Sequence, residues 1–324
     1  MPVVVESWHR FDIRGIDDLC NAVFAADLEA IQMAGPHVRG SLAFAARDGI
    51  VFSSGLIRGN VMIRGKLAAD ALTLAILLRA GPGSRFWFNE VGNGDVGIVL
   101  AGAECDFLCS SNSFYVAATL SPGQLRKEAT RQGLTMHRNL MCKTGLHSTP
   151  LEQPALTWLT EHLATIHGGG TGTEGRKAAI GAKLFRTILT HYAEQVPSSD
   201  KQVNSTISAQ TVRKALNYIT DNLTHRIGID ALAEVVGTSR RSLYRAFSEV
   251  LNDTPQSYVR RLRLHRIRRE LIVNSQTTIF AAAHHWGAGQ DLGRLSRSYR
   301  NLFGENPSST LAASRTLRPD DIQI

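Results

Sequence analysis

Arg240, Arg241, Tyr244 and Arg245 occupy the side of the run 239–247 left free when Leu243 and Phe247 turn inward. Such a helix face suits duplex DNA: arginine donates to guanine O6 and N7 in the major groove, and the flanking phosphates add attraction. A merely solvated helix carries mixed-sign charge, whereas this run meets no acid before Glu249. The residues upstream are the parts of a helix-turn-helix. Leu232, Ala233 and Val236 are apolar at helical spacing, and Ala233 is small enough for close helix approach. Gly237 can take the positive φ of a tight turn, and Ser239 can cap the next helix.

The next segment, 252–272, opens with Thr254 as a cap and Pro255 at the first helical position. Tyr258, Leu262, Leu264, Ile267 and Leu271 supply its apolar side, and Arg260, Arg261, Arg263, Arg266, Arg268 and Arg269 fill other positions with only Glu270 as an internal acid. Arg260, Arg261 and Arg268 are therefore expected on phosphates; Arg263 suits a buried structural role equally well. Roughly fifty positions after the first unit, 278–287 and 291–303 repeat its logic. Asp291 caps, Leu295, Tyr299 and Phe303 face inward, and Gly293, Arg294, Ser296 and Arg297 remain for DNA.

Other chemistry is poorly supplied. Cys20, Cys105, Cys109 and Cys142 lack paired C-x-x-C spacing; Cys105 and Cys109 share one strand face beside Asp106, with no cation to stabilise a thiolate. A DNA-repair alkyltransferase-activator with a cysteine acceptor is the alternative this pair raises. No histidine lies between His37 and His137, which argues against a metal site in a β domain there; His162, His167, His191, His284 and His285 are expected as surface or capping residues. Neither G-x-S-x-G nor H-E-x-x-H occurs, and Gly92 to Gly97 matches G-x-G-x-x-G only between strands. The expectation is a protein that is not an enzyme and uses no cofactor or metal.

Composition agrees with a polyanion-binding module joined to a near-neutral partner. The 324 residues carry a net charge of +8; residues 207–324 hold 17 of the 36 Lys+Arg and 10 of the 28 Asp+Glu, so that third holds +7. No basic segment followed by an apolar stretch opens the chain, and the longest apolar run is too short for a bilayer, so a cytoplasmic protein is expected.

Short apolar segments at 72–78, 85–89, 96–100, 105–109 and 114–120, separated by turn residues, predict strands. Leu156, Leu159, Leu163 and Ile166, then Ile180, Leu184, Ile188 and Leu189, predict a helical hairpin. The fold class is α+β, with a β-rich regulatory domain over 1–150, the hairpin over 151–196, a linker over 197–207, an all-α domain over 208–315 and a tail over 316–324. Phe86, Trp87, Phe88 and Phe107 are candidates to line an effector pocket. The Leu156, Leu159, Leu163 stripe is a candidate dimerisation surface, with packing on its own domain as the equal alternative.

The C-terminal third resembles the AraC/XylS family of bacterial transcription regulators. The matching residues are Leu232-Ala233, Gly237, Ser239, Leu243, Arg245, Phe247, Thr254-Pro255, Tyr258, Arg263-Leu264, Leu271, Trp286-Gly287, Arg297, Tyr299, Phe303-Gly304 and Pro307-Ser308. Phe86-Trp87-Phe88 and 291–294 are similar to the branch containing the ethanolamine-utilisation activator. The resemblance implies a cupin-like barrel in the first half and two helix-turn-helix motifs whose second helices enter successive major-groove segments. It implies base contacts by Arg241, Tyr244 and Arg245, then by Gly293, Ser296 and Arg297. Two departures stand out: Asn252 replaces a turn glycine, and the turn at Ala288-Gly289-Gln290 is one residue longer than usual, which leaves the orientation of the second reading helix open.

The partners implied are double-stranded promoter DNA, RNA polymerase, a second copy of the chain, and a small-molecule effector or regulatory protein, with no membrane. A non-specific architectural DNA binder is the remaining alternative.

Overall fold

A computed structural model describes residues 7–135, 144–147, 149–169, 180–194 and 206–316. The chain divides into two compact units. One holds residues 1–30 and 38–204, and the other holds 31–37 and 205–324. The predicted linker up to residue 205, the tail beyond Thr316, most of the glycine-rich loop, His137 and Cys142 lie outside the described residues.

The first unit is built on an antiparallel sheet, of whose second strand residues 31–37 fall in the other unit. Its strands are β1 (His9–Ile13), β2 (Asp27–Arg47), β3 (Ile50–Lys66), β4 (Leu72–Arg79), β5 (Arg85–Phe86), β6 (Asn89–Glu90), β7 (Val96–Val99), β8 (Glu104–Cys109), β9 (Ser113–Leu120) and β10 (Gly145–Leu146). Hydrogen bonding runs β10-β7-β4-β9-β3-β8-β5-β6, with β1 and β2 joined beside β3. Among the described residues this path is open at both ends, so the sheet is a half-barrel form of the cupin-like barrel that was expected. β8 and β9 pair with β3 in one uninterrupted register, Val61 opposite Cys109 and Ile57 opposite Ser113, and the break at 110–112 is tied back by Ser111 N–H donating to Asn60 Oδ1 (3.2 Å).

Alternation along β4 and β9 separates two buried faces. Leu72, Leu74, Ile76 and Leu78, with Phe114, Val116, Ala118 and Leu120, pack against α2 (Gln153–His167) and α3 (Ile180–Glu194). A further helix, α1 (Pro122–Arg131), follows β9; Ser121 Oγ accepts from Gln124 N–H. Leu156, Leu159 and Leu163 lie in this core and are 6%, 0% and 0% exposed. The expectation that they form a dimer surface is corrected: the stripe is covered by its own sheet and by α3.

His167 is buried at the end of α2, and His191 is buried in α3, which corrects the reading of both as surface or capping residues. Ser54 Oγ donates to Tyr115 O (2.9 Å), so His167 Nε2–H donates to Ser54 Oγ (3.0 Å) and Nδ1 accepts from Ser41 Oγ (2.7 Å), a tautomer assigned from the network. Burial pushes His167 down from 6.5 to about 4, with a smaller contribution from Arg10. Burial likewise lowers His191 to about 4 and His265 of the second unit to about 3. The unfolded chain binds these protons first, so stability is full above pH 6.5 and falls as pH drops toward about 4. Melting followed across that window is expected to show this fall, and His167→Gln to make it shallower; an unchanged slope would sink the assignment.

The second unit is helical: α4 (Ile207–Asp221), α5 (Ile229–Val236), α6 (Arg240–Leu251), α7 (Pro255–Val273), α8 (Ile279–His285), α9 (Leu292–Phe303) and α10 (Pro307–Thr316). Thr206 caps α4 by accepting from Ala209 N–H (3.1 Å). Leu264, Ile267 and Leu271 of α7 form one apolar cluster with Ala282, Ala283, Leu295 and Tyr299.

Candidate nucleic-acid interface

Local chemistry fixes where α6 and α9 begin. Gly237 is left-handed (φ 75°), and Thr238 N–H donates to Ala233 O (2.9 Å), which closes α5. Ser239 Oγ then accepts from Ser242 N–H (3.1 Å). The second pair repeats this. Gly287 is left-handed (φ 65°), Ala288 N–H donates to Ala283 O (2.8 Å), and Asp291 Oδ1 accepts from Arg294 N–H (2.8 Å). The longer turn over 288–290 is thus absorbed before the cap, and Leu295 and Tyr299 still reach the core. Asn252 is left-handed too (φ 50°), doing at the end of α6 what the absent glycine would do. Ser239→Ala is expected to destabilise the helical unit by about 1 kcal/mol in a denaturant titration.

Leu243, Ala246, Phe247 and Val250 bury one side of α6, so Arg240, Arg241 and Arg245 are exposed, and Tyr244 is half-buried. Tyr244 Oη donates to Gln256 Oε1 at the start of α7, and Arg240 lies 3.7 Å from Asp230. In α9, Gly293, Arg294 and Arg297 are exposed and Ser296 is half-buried. Arg260 and Arg294 share a cleft of about 320 Å³ with Gln256, Gln290 and Ser298, between α7 and α9. Sequence reasoning missed Gln256, whose only signal was its place one residue after the helix-opening proline.

The other arginines of α7 divide by environment. Arg261 is ion-paired with Asp253, with side chains 16% and 11% exposed. Arg268 pairs with Glu305, and its guanidinium lies 4.9 Å from the centre of the Phe303 ring. Both were expected on phosphates; both are held inside the helical unit, because Asp253 and Glu305 lie outside α7 but fold back against it. Arg263 donates to three backbone carbonyls, Leu223 O (3.2 Å), Gly287 O (3.0 Å) and His225 O (2.6 Å), which is the structural role.

Of the pocket candidates, Phe86 and Phe107 line a cavity in the first unit. Trp87 and Phe88 are buried elsewhere, at left-handed φ of 45° and 64°, with Trp87 Nε1–H donating to Glu104 O (2.9 Å). The thiols of Cys105 and Cys109 are pushed up, above all by burial, so neither is a ready nucleophile.

Paired short helices with capped, cationic second members define a helix-turn-helix protein. A family described as "Helix-turn-helix domain" matches residues 232–313. The XylDLEGF operon transcriptional activator of Pseudomonas putida is 34% identical over 139 residues, 40% of this chain and 43% of that protein. The XylDLEGF operon transcriptional activator 2 of the same organism is 30% identical over 130 residues, 39% of this chain and 82% of that protein. A solved structure described as a probable AraC family transcriptional regulator from Rhodopseudomonas palustris is 34% identical, with a TM-score of 0.31, over 32% of this chain and 96% of that one. The chain belongs to the AraC/XylS family of transcription regulators. It matches less than half the length of several of these relatives.

Proposed function

We propose that the chain is a sequence-specific regulator, an activator at promoter DNA, that reads duplex DNA with two helix-turn-helix units in succession. One observation carries this: α6 and α9, each opened by a side-chain cap, both expose arginines while their opposite sides join the core. On this reading Arg241, Tyr244 and Arg245 address bases in one major-groove segment, and Gly293, Ser296 and Arg297 address the next. Arg240, Arg260 and Arg294 meet phosphates. The relatives' description as operon activators supports activation over repression. RNA polymerase contact, a homodimer on repeated half-sites, and control by a small molecule or regulatory protein through the N-terminal unit complete the proposal. Among the described residues no helix is long and apolar enough to cross a membrane.

Capture of genomic fragments by the purified chain, followed by binding to the recovered sites across a salt series, tests it. A few repeated sequences are expected; sequence-blind recovery would instead favour an architectural binder. Arg294→Ala is expected to reduce the slope of log affinity against log salt by about 0.9, nearly equally on cognate and unrelated duplexes. A loss confined to the cognate site would make Arg294 a base reader instead.

A further inference from the structure

The half-barrel holds a partly open cavity of about 80 Å³ on the face of β4 and β9 turned away from the helices. Residue size makes it. On the helix side β4 and β9 carry leucine, isoleucine, valine and phenylalanine with one alanine; on the cavity side Thr73 and Ala75 of β4, Ala117 of β9 and Gly97 of β7, beside Leu77 and Tyr115, leave space that Phe86 and Phe107 wall off. Folded interiors hold few voids larger than a water molecule, so one lined by this run of small side chains is built into the strands.

The lining offers little to a charged or strongly polar guest. Among the described residues it contains no lysine, arginine or histidine. Thr73 and Thr119 hydroxyls bond each other (3.1 Å), and Tyr115 Oη donates to Ala22 O (2.5 Å). Burial raises both the Tyr115 phenol and the Cys105 thiol, so both stay neutral. Asp95 is the remaining acid of the lining, and its carboxylate accepts from Gly92 N–H (2.9 Å). A bound water would find few hydrogen-bond partners on this lining, which favours an apolar guest.

The structure assigns to this cavity an uncharged, apolar ligand no larger than about one aromatic ring or a short hydrocarbon chain. The assignment rests on the reading that the N-terminal unit receives a small molecule, and it specifies that molecule's chemistry. An anion meets no cation among the described lining residues and faces Asp95; a ligand with several hydroxyls leaves them unpaired.

Three probes of one shape separate the possibilities in melting and calorimetric titrations of the full chain without DNA: toluene, benzoate and benzylammonium. Toluene is expected to raise the melting temperature saturably, and the two ions to leave it unchanged. Ala117→Leu, which fills the void, is expected to weaken toluene at least about tenfold. Ala75→Leu repeats the test from β4 should the first variant not fold. Phe107→Ala enlarges the void and is expected to admit naphthalene. Binding of benzoate or benzylammonium as tight as toluene, or toluene binding undiminished in a folded filled variant, would overturn the assignment. Because no DNA is present, failure here leaves the helix-turn-helix reading standing, and loss of DNA binding in a toluene-competent protein would remove only the latter.

Discussion

Arg245→Ala is expected to weaken binding to the cognate duplex by about 1–3 kcal/mol, roughly five- to 150-fold, and to leave binding to unrelated duplex changed by no more than one phosphate contact would give. Arg245 is exposed on α6, a turn and a half past the Ser239 cap, and no ion pair to it is found among the described residues. The backbone beneath it is fixed: Leu243, Ala246 and Phe247 are each 2% exposed or less. A guanidinium on a fixed helix face can match guanine O6 and N7 with two hydrogen bonds, and its removal leaves both acceptors without that partner. Competition between the cognate site and each single-base variant checks this. Discrimination should relax at one base pair and persist at the others. Uniform weakening across all duplexes would move Arg245 to the phosphate-contacting group.

The features that were legible in the sequence are those whose cause lies within a few residues. Gly237, Ser239, Thr254, Pro255 and Asp291 announce turns and caps, because each satisfies a terminal carbonyl or N–H of its helix or, for the proline, lacks the N–H that would need a partner, and all of them do so in the structure. The β4, β7, β8 and β9 strands were legible from alternation. The Leu156, Leu159, Leu163 stripe was legible as buried periodicity, but its covering surface was not, since periodicity says that a face is buried and not against what.

Elsewhere the deciding partner is distant or the signal misleads. β2 and β3 are the longest strands, yet Gly40 and Gly65 read as interruptions. They are required by close approach: a Cβ at Gly40 would lie 1.8 Å from Leu56 O, and one at Gly65 2.0 Å from Asp27 O. The count of acids within α7 found only Glu270, which accepts from Trp286 Nε1–H (2.7 Å), while the partners of Arg261 and Arg268 come from the turn before the helix and the turn after α9. Helix α1 carried a readable capping box at Ser121 and Gln124, hidden between strands.

Arg268→Ala is accordingly a test of folding and not of DNA affinity. Arg268 joins α7 to the end of α9 and the start of α10 through Glu305, Tyr299 Oη (3.4 Å) and Thr310 Oγ1 (3.4 Å). Removing one member of a fully buried pair costs about 3–5 kcal/mol because the other charge is left uncompensated. The Arg268 and Glu305 side chains are 14% and 36% exposed, so water screens part of that, and about 2–3 kcal/mol of lost stability is expected. Tyr299 and Thr310 keep their mutual hydrogen bond (2.8 Å), which limits the damage to the charged group. Denaturant titration should register the loss, and Glu305→Ala in the Arg268→Ala background should add little. Affinity per folded molecule and its salt slope should be those of the parent chain. An unaltered unfolding midpoint with a slope reduced by about 0.9 would instead return Arg268 to the phosphates, and would mean that the ion pair opens when DNA is bound.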